Sequence, residues 1–478
     1  MATPFIKEKY SVVVAGGGLT GLAAGYFLTK AGIQAAVFER DSAVGGLSRT
    51  VLHNGFRFDL GGHRFFTKNE RINALIRELM KGELVSVPRK SRIYLRGKYF
   101  DYPLRPFNAL FGLGIPTTAR ILADYCAERV RGLVREPGQV SLEDWVISHF
   151  GRTMFTIYFK EYSEKVWGVD CSRISVDWVA QRIRGLSLTK AIRNAFFRFS
   201  GRDIPSLVDR FDYPALGIGR ISDRLREEIE KSNPVFTDTG VERIHHSGFR
   251  VRSVEVGGKG QGRRVETGHF ISSMPLPALV RSLDPPPPED IRAAAERLRF
   301  RDLVVVAVMV GRRRVTDLTW IYIPEQKIPF GRIHEPTNWS GEMAPEGKTL
   351  LVIEYFSTEG DALWNEGDDT LVRITVENLE KLGFIGRGEV IDSCVVRAPK
   401  AYPLFEVGYA ELCRKVYAYL ERFGNLHIAG RVGMFRYYNM DHAIESGLRA
   451  AEAVAERHIR DAGADGGGLK RSRGAAAG

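Results

Sequence analysis

The chain has 478 residues, 44% of them hydrophobic and 26% charged, which is material for more than one domain with a sizeable core and too apolar for intrinsic disorder. Its four cysteines, Cys126, Cys171, Cys394 and Cys413, form no CxxC pair, which argues against a zinc site or a disulfide framework and for reduced thiols in a cytoplasm. The net charge of +12 asks for an anionic partner, but no helix-turn-helix, finger or RNP-like signature accompanies it, so nucleic acid is not expected. No uninterrupted apolar run reaches the ~18 residues of a spanning helix, and the opening MATPFIKEKY lacks the apolar core of a signal peptide.

In chain order, YSVVVAGGGLTGLAAGYFLTKAG predicts a buried strand, a tight turn and a helix ending at Gly32, and QAAVFER predicts a second strand. Gly16, Gly18 and Gly21 form a G-x-G-x-x-G between strand and helix, and Glu39 closes the second strand 18 residues beyond Gly21. The first glycine turns the chain, the second admits a pyrophosphate, the third packs helix on strand, and the acid takes the ribose hydroxyls. A second glycine pair, Gly45 and Gly46, follows in RDSAVGGLSRT and would touch the same pyrophosphate from the other side. That fits a permanently clasped dinucleotide such as FAD better than an exchanging nicotinamide. Next comes DLGGHRFFTK, which sets His63 between the pair Gly61–Gly62 and two phenylalanines.

From about Asn69 to Arg202 the apolar spacing of INALIRELM, TTARILADYCAERVRGLV, LEDWVISHF and TMFTIYFKEYSEKVW predicts a mainly helical stretch. Its end, RIRGLSLTKAIRNAFFRFSGR, holds no acid and reads as a solvated basic face, an anionic-substrate funnel or a membrane-surface patch. Alternating segments then predict strands: NPVFTDTGVERIHHSGFRVRSVEV, GHFISSMPL, FRDLVVVAVMVGRR, WIYIPE and TLLVIEYF, and later NLHIAGRVGMF before the helix AIESGLRAAEAVAERHI. The nucleotide-binding strands thus lie at both ends and in the middle of the chain. The expected domains are 1–75, 205–275 and 395–460 for the dinucleotide, an inserted substrate domain with a helical part 76–204 and a sheet part 276–394, and a disordered low-complexity tail 461–478.

The run E-R-x(4)-G-G-x-S-R-T and, near the far end, HIAGRVGMFRYYNMDHAIESGLRAAE resemble the flavin amine oxidase superfamily. The resemblance implies an α/β fold with a discontinuous Rossmann-type, GR2-like FAD-binding domain and an inserted helical plus antiparallel-sheet domain. It implies FAD held by Gly16, Gly18, Gly21, Glu39, Arg40, Gly45, Gly46, Leu47, Gly61, Gly62, Val241, Gly430, Arg431, Asn439, Met440 and Asp441. The last helix would then point its N-terminus at the flavin, where a positive end stabilises the anionic reduced form.

Within the superfamily, GGHRFF, EKVWGVDCSRISVDWVAQR, WIYIPEQKIPFGR, KAYPLF and GRVGMFRYYNMDH resemble UDP-galactopyranose mutase, especially the eukaryotic-type enzymes, and bacterial mutase-like flavoproteins. That implies an isomerase in which N5 of reduced flavin attacks the anomeric carbon of a nucleotide sugar, with no net redox change. By this resemblance His63 lies over the flavin, Arg182 and Arg332 grip the diphosphate, Tyr322, Tyr402 and Tyr437 hydrogen-bond it and shape the sugar site, and Trp167 lines or packs the cavity. No second Rossmann unit is evident, so NAD(P)H as a reductant would dock in the substrate cleft. The competing expectation is an FAD-dependent oxidoreductase similar to amine oxidase, protoporphyrinogen oxidase or phytoene desaturase, taking hydride from an apolar or amine substrate, with the basic stretch at a membrane surface. A third is a flavoprotein serving as a binding or assembly subunit. The arginine pair and the tyrosine set favour the mutase; the sugar, the nucleotide and the oligomeric state stay open.

Overall fold

The computed structural model describes residues 5–102, 114–134, 140–178, 210–258 and 262–468. The first strand, Lys9–Ala15, is almost wholly buried, as an apolar run covered on both faces must be. It pairs in parallel with Ala35–Phe38 on one side and Arg263–Ser272 on the other. The sheet then extends through Val235–Phe236 at one edge and through Arg250–Gly257, Gly240–Ser247 and Leu283–Asp284 at the other. Strand Arg263–Ser272 has two partners on one side: its first half pairs antiparallel with Arg250–Gly257 and its second half pairs in parallel with Leu426–Ile428.

Alternation along the parallel strands sends Val12, Val14, Ala35 and Val37 to one face, under helices Leu19–Lys30, Glu70–Met80, Arg220–Ile229 and Met440–Gly468. Val13, Ala15, Ala36 and Phe38 go to the other face, under Leu276–Ser282, Glu289–Glu296 and Tyr409–Leu420. No helix of the described residues is long and apolar enough to cross a membrane.

The second sheet has seven strands in the order Val390–Pro403, Phe300–Val310, Thr349–Ser357, Arg332–His334, Trp320–Tyr322, Ser91–Leu95, Lys98–Asp101. Phe300–Val310 is buried at every position. Leu303, Val305, Ala307 and Met309 face the helices Ile115–Val134, Leu142–Phe150 and Glu161–Trp167, and the intervening valines face Asp368–Lys381. A π-helical turn, Phe155–Lys160, leads directly into Glu161–Trp167.

Four features depart from the sequence expectations. The stretch after Asn69 is not continuously helical: Leu84–Pro88 pairs with Arg210–Pro214, and Ser91–Leu95 and Lys98–Asp101 form a hairpin in the second sheet. Arg96 and Gly97 turn that hairpin with positive φ at both residues, the geometry of a two-residue primed turn. Strand Val390–Pro403 belongs wholly to the second sheet, so the return to the dinucleotide sheet comes after Pro403, not at 395. Residues 276–284 pack on the first sheet rather than the second. The last helix runs to Gly468, into the segment expected to be a disordered tail. The basic stretch 182–202, Arg182 included, lies outside the described residues.

Candidate active site

A cavity of about 2090 Å³ runs from the glycine loop of the first sheet to the face of the second. That is about twice the upper end of the ~300–1,000 Å³ usual for a ligand pocket. It has room for a dinucleotide and a second molecule beside it.

The dinucleotide end is built from local sequence. Gly16, Gly18, Glu39, Arg40, Gly45, Gly46, Leu47 and Val241 all line it. Gly21 lies beneath the loop: a Cβ there would sit 1.8 Å from the Gly16 carbonyl oxygen, so helix and loop meet at the closest approach a backbone allows. The two glycine pairs are physically joined, the Gly45 N–H donating to the Gly17 carbonyl at 2.8 Å. The buried Glu39 carboxylate accepts from the Gly17 N–H at 2.6 Å and the Asp41 N–H at 2.9 Å. Burial raises its pKa, and the two backbone donors oppose the shift. Gly430, Arg431, Asn439 and Met440 close the opposite wall at the start of the last helix. Asp441 sits in the first turn of that helix and is not on the wall. A helix N-terminus and glycine-lined backbone supply the donors, and a buried acid the acceptor, that an FAD pyrophosphate and ribose require.

The other end is built by tertiary contact. Gly61, Gly62 and His63 line the cavity. The structure shows a reason for Gly62: a Cβ would fall 1.4 Å from Trp320 Cζ3, so the backbone is pressed onto the indole. The Nδ1 of His63 is buried without a hydrogen-bond partner among the described residues. Burial, then the guanidinium of Arg431 and that of Arg332, pull its pKa from 6.5 to about 4. The imidazole is therefore neutral at pH 7, one nitrogen a donor and one an acceptor.

Arg332 is the hub. Its Nε donates to the Tyr162 hydroxyl at 2.9 Å, and its Nη1 donates to Glu354 Oε2 and to the Tyr402 hydroxyl, both at 3.0 Å. Nη2 is left uncommitted among the described residues. Burial alone would lower the Arg332 pKa, but the phenols of Tyr162 and Tyr402 and the Glu354 carboxylate outweigh it and hold it well above its ordinary value. The aromatic walls of Trp320, Tyr322 and Phe356 lie 5.6, 6.0 and 4.9 Å from the guanidinium, within cation–π range. Across the cavity, Arg431 stacks over Tyr402 and Tyr437 at 4.9 and 4.5 Å and donates to the Tyr438 carbonyl at 2.8 Å. Two guanidinium groups thus bracket Tyr402, whose ring is also stacked on Tyr437 at 6.2 Å.

The expected residues His63, Tyr322, Arg332, Tyr402, Tyr437 and Arg431 therefore all line the one cavity. Trp167 does not: it is buried behind the wall, 5.5 Å from Trp178 and 6.2 Å from Tyr402, because the helix Glu161–Trp167 turns its Tyr162 face toward Arg332 instead. Sequence reasoning missed Tyr162, Trp320, His334 and Glu354. Two of these left a signal. Glu354 is the one acid in the apolar strand TLLVIEYF, and Trp320 precedes Tyr322 by two, hence on the same face of its strand.

His334, stacked on Trp320 at 5.8 Å with its Nδ1 4.0 Å from Glu354 Oε1, has its pKa pulled from 6.5 to about 3 by burial, then by His63 and Arg332. A folded-state pKa below the unfolded value means stability is fully present above pH about 6.5 and is lost as pH falls through 4 for His63 and 3 for His334. Thermal midpoints of the wild-type protein should drop on acidification from pH 6.5 to 4 more steeply than those of His334→Phe, measured by circular dichroism. Parallel slopes would contradict this account of the buried imidazole.

The model of the family described as "Flavin containing amine oxidoreductase" matches residues 19–455. Coproporphyrinogen III oxidase of Mycobacterium leprae (strain TN) is 26% identical over 431 residues, covering 85% of this chain and 91% of that protein. The corresponding enzyme of Staphylococcus aureus (strain NCTC 8325 / PS 47) is 20% identical over 93% of this chain and 98% of its own. Among solved structures, reduced UDP-galactopyranose mutase superposes with a TM-score of 0.80 at 24% identity, covering 93% of this chain and 95% of that one. A putative protoporphyrinogen oxidase from Exiguobacterium sp. 255-15 superposes with a TM-score of 0.73 at 17% identity, covering 95% and 100%. With the glycine loops, the ribose acid and the last helix arranged around one cavity, and with the family model spanning nearly the whole chain, this protein belongs to the flavin-containing amine oxidoreductase family and is an FAD-dependent flavoenzyme.

Proposed function

We propose that the protein is a nucleotide-sugar mutase, interconverting the pyranose and furanose forms of a nucleoside-diphosphate hexose with reduced FAD. The observation that carries this reading is the Arg332 cluster: a buried guanidinium fixed by two phenols and a carboxylate, with one nitrogen left for an anion and a second guanidinium, Arg431, on the other side of Tyr402. A purely apolar or amine substrate has no use for such a wall; an anionic one does, and a leaving diphosphate most of all, because charge develops on it.

Reduced FAD, once bound, supplies the nucleophilic N5 for the anomeric carbon. The chain's own groups do the rest. Arg332 Nη2 and Arg431 hold the diphosphate oxygens as negative charge develops on them. Tyr322, Tyr402 and Tyr437 present phenols to the same region, and burial raises the Tyr402 pKa so that its hydroxyl stays protonated. His63, neutral at pH 7, can take a proton from a sugar hydroxyl on one nitrogen while the other holds its own proton. Arg182 is proposed as a further diphosphate ligand, and NAD(P)H, entering the same cleft, as the reductant.

A second reading is favoured by the names of the sequence relatives: oxidation of a porphyrinogen by oxidised FAD, since coproporphyrinogen III oxidases align along most of the chain. One experiment separates the two. Dithionite-reduced holoenzyme is incubated without oxygen with UDP- and dTDP-hexoses, and the products are resolved by chromatography and mass. The expected result is a new nucleotide sugar of unchanged mass that forms only with reduced enzyme. Absence of conversion across the panel, together with oxygen uptake by oxidised enzyme on coproporphyrinogen III, overturns the mutase in favour of the oxidase.

A further inference from the structure

Lys165 lies outside the cavity wall, yet its surroundings are unusual for a lysine. Its ammonium donates to four backbone carbonyls: Ile323 at 2.9 Å, Glu325 at 2.5 Å, Ile328 at 2.9 Å and Phe330 at 3.2 Å. An ammonium has three protons, so the four oxygens share them. The Glu325 carboxylate is turned elsewhere, accepting from the Arg96 N–H at 2.9 Å and facing Lys327 at 2.9 Å. All four carbonyls belong to one connection, residues 323–331, between Trp320–Tyr322 and Arg332–His334. Without the ammonium, the carbonyls of Ile323, Ile328 and Phe330 would each carry a desolvation cost, while that of Glu325 would keep the Ile328 N–H at 3.2 Å.

The same helix reads both ends of this connection. Tyr162 and Lys165 are three residues apart on Glu161–Trp167 and so share a face. Tyr162 receives the Arg332 Nε, and its ring meets that of Tyr322 at 5.8 Å. The helix is pinned in turn by Arg301, which donates to the carbonyls of Val166 at 3.0 Å and Lys165 at 3.4 Å. Packing leaves no slack: a Cβ on Gly331 would meet the Phe356 ring at 2.5 Å and Lys165 Cδ at 3.5 Å.

We propose that Lys165 is a positioning residue for the anion site: its ammonium gathers the carbonyls of 323–331 and thereby sets where Tyr322 and Arg332 stand over the cavity. This rests on the reading of Arg332 as an anion ligand. Burial brings the ammonium pKa down to about 8, opposed through space by the carboxylates of Glu161 and Glu325, neither of which bonds to it. Arg301 and Arg332 are the nearby cations on the packed elements, and both stay charged.

The test uses holoenzyme and UDP as the probe, followed by the change it causes in the flavin spectrum. Lys165→Met should retain FAD at wild-type stoichiometry but bind UDP at least tenfold more weakly. Lys165→Ala should regain most of the lost affinity on addition of propylammonium chloride and none with tetramethylammonium chloride, which offers no N–H. Wild-type UDP affinity should weaken reversibly as pH rises through about 8, and Lys165→Met should lack that limb. Unchanged affinity in Lys165→Met, no rescue by propylammonium, or loss of FAD in both variants overturns the proposal. If the wild-type protein itself binds no UDP, the diphosphate reading fails instead, and the same variants compared by KM for coproporphyrinogen III decide the clamp.

Discussion

Arg332→Ala is expected to lower folding stability by about 3–5 kcal/mol and to abolish anion binding, the cost of leaving one member of a buried ion pair alone. Glu354 is 0% exposed and Arg332 8% exposed, and their contact at 3.0 Å joins two adjacent strands in the middle of the second sheet. In the wild-type protein Arg332 is the one charged cation within 4.0 Å of the Glu354 carboxylate among the described residues. His334, 4.0 Å from the carboxylate, is neutral at pH 7 in the wild-type protein, where burial, then His63 and Arg332, hold its pKa at about 3. The Tyr162 and Tyr402 hydroxyls would lose their donor as well. The double variant Arg332→Met, Glu354→Gln removes both charges at similar volume and should recover most of the stability while binding remains lost. Urea unfolding of the three proteins checks the first point, and spectral titration with UDP the second. A single variant as stable as wild type would contradict the buried-pair account. Recovery of binding in the double variant would remove Arg332 from the site.

Gly21→Ala is expected to empty the dinucleotide site, lowering bound flavin by more than tenfold. The added methyl would lie 1.8 Å from the Gly16 carbonyl oxygen and 3.3 Å from Val14 Cγ1. The obstacle is backbone, so no side chain can swing aside. Either the helix Leu19–Lys30 withdraws from the strand or the loop opens, and both displace the N–H groups that face the pyrophosphate. The ratio of absorbance at 450 nm to that at 280 nm in purified protein measures the effect. The second sheet shares no strand with this loop, so the variant should remain folded, with a cooperative unfolding transition. A fully yellow Gly21→Ala protein would mean that the loop tolerates the methyl and that the packing argument is wrong.

The dinucleotide half is legible in the sequence because its determinants are contiguous. Strand, G-x-G-x-x-G, helix and Glu39 lie within one short run, and the hydrogen bond from Gly17 to Glu39 spans 22 positions within it. The hairpin Ser91–Leu95 and Lys98–Asp101 is hidden inside a stretch that reads as helical. Its strands are short, and its place beside Trp320–Tyr322 comes from a pairing more than two hundred residues away. Trp167 misleads for a related reason: helical spacing says which residues share a face, but not which face the neighbouring sheet will accept.

The sequence by itself determined the two-sheet α/β plan, the glycine cradle with its acid, the closing helix, and the set of arginines, tyrosines and the histidine available for chemistry. It could do so because glycine placement and strand or helix periodicity act on the backbone within a few residues. Only the tertiary structure decided what those side chains do. Arg332 meets its partners across 22, 70 and 170 positions, and Lys165 reaches its four carbonyls across 158 to 165. Such contacts follow from how two sheets and a helix pack. No local propensity encodes that, so charge pairing, buried imidazoles and the bracketed tyrosine became visible only once the core had closed around them.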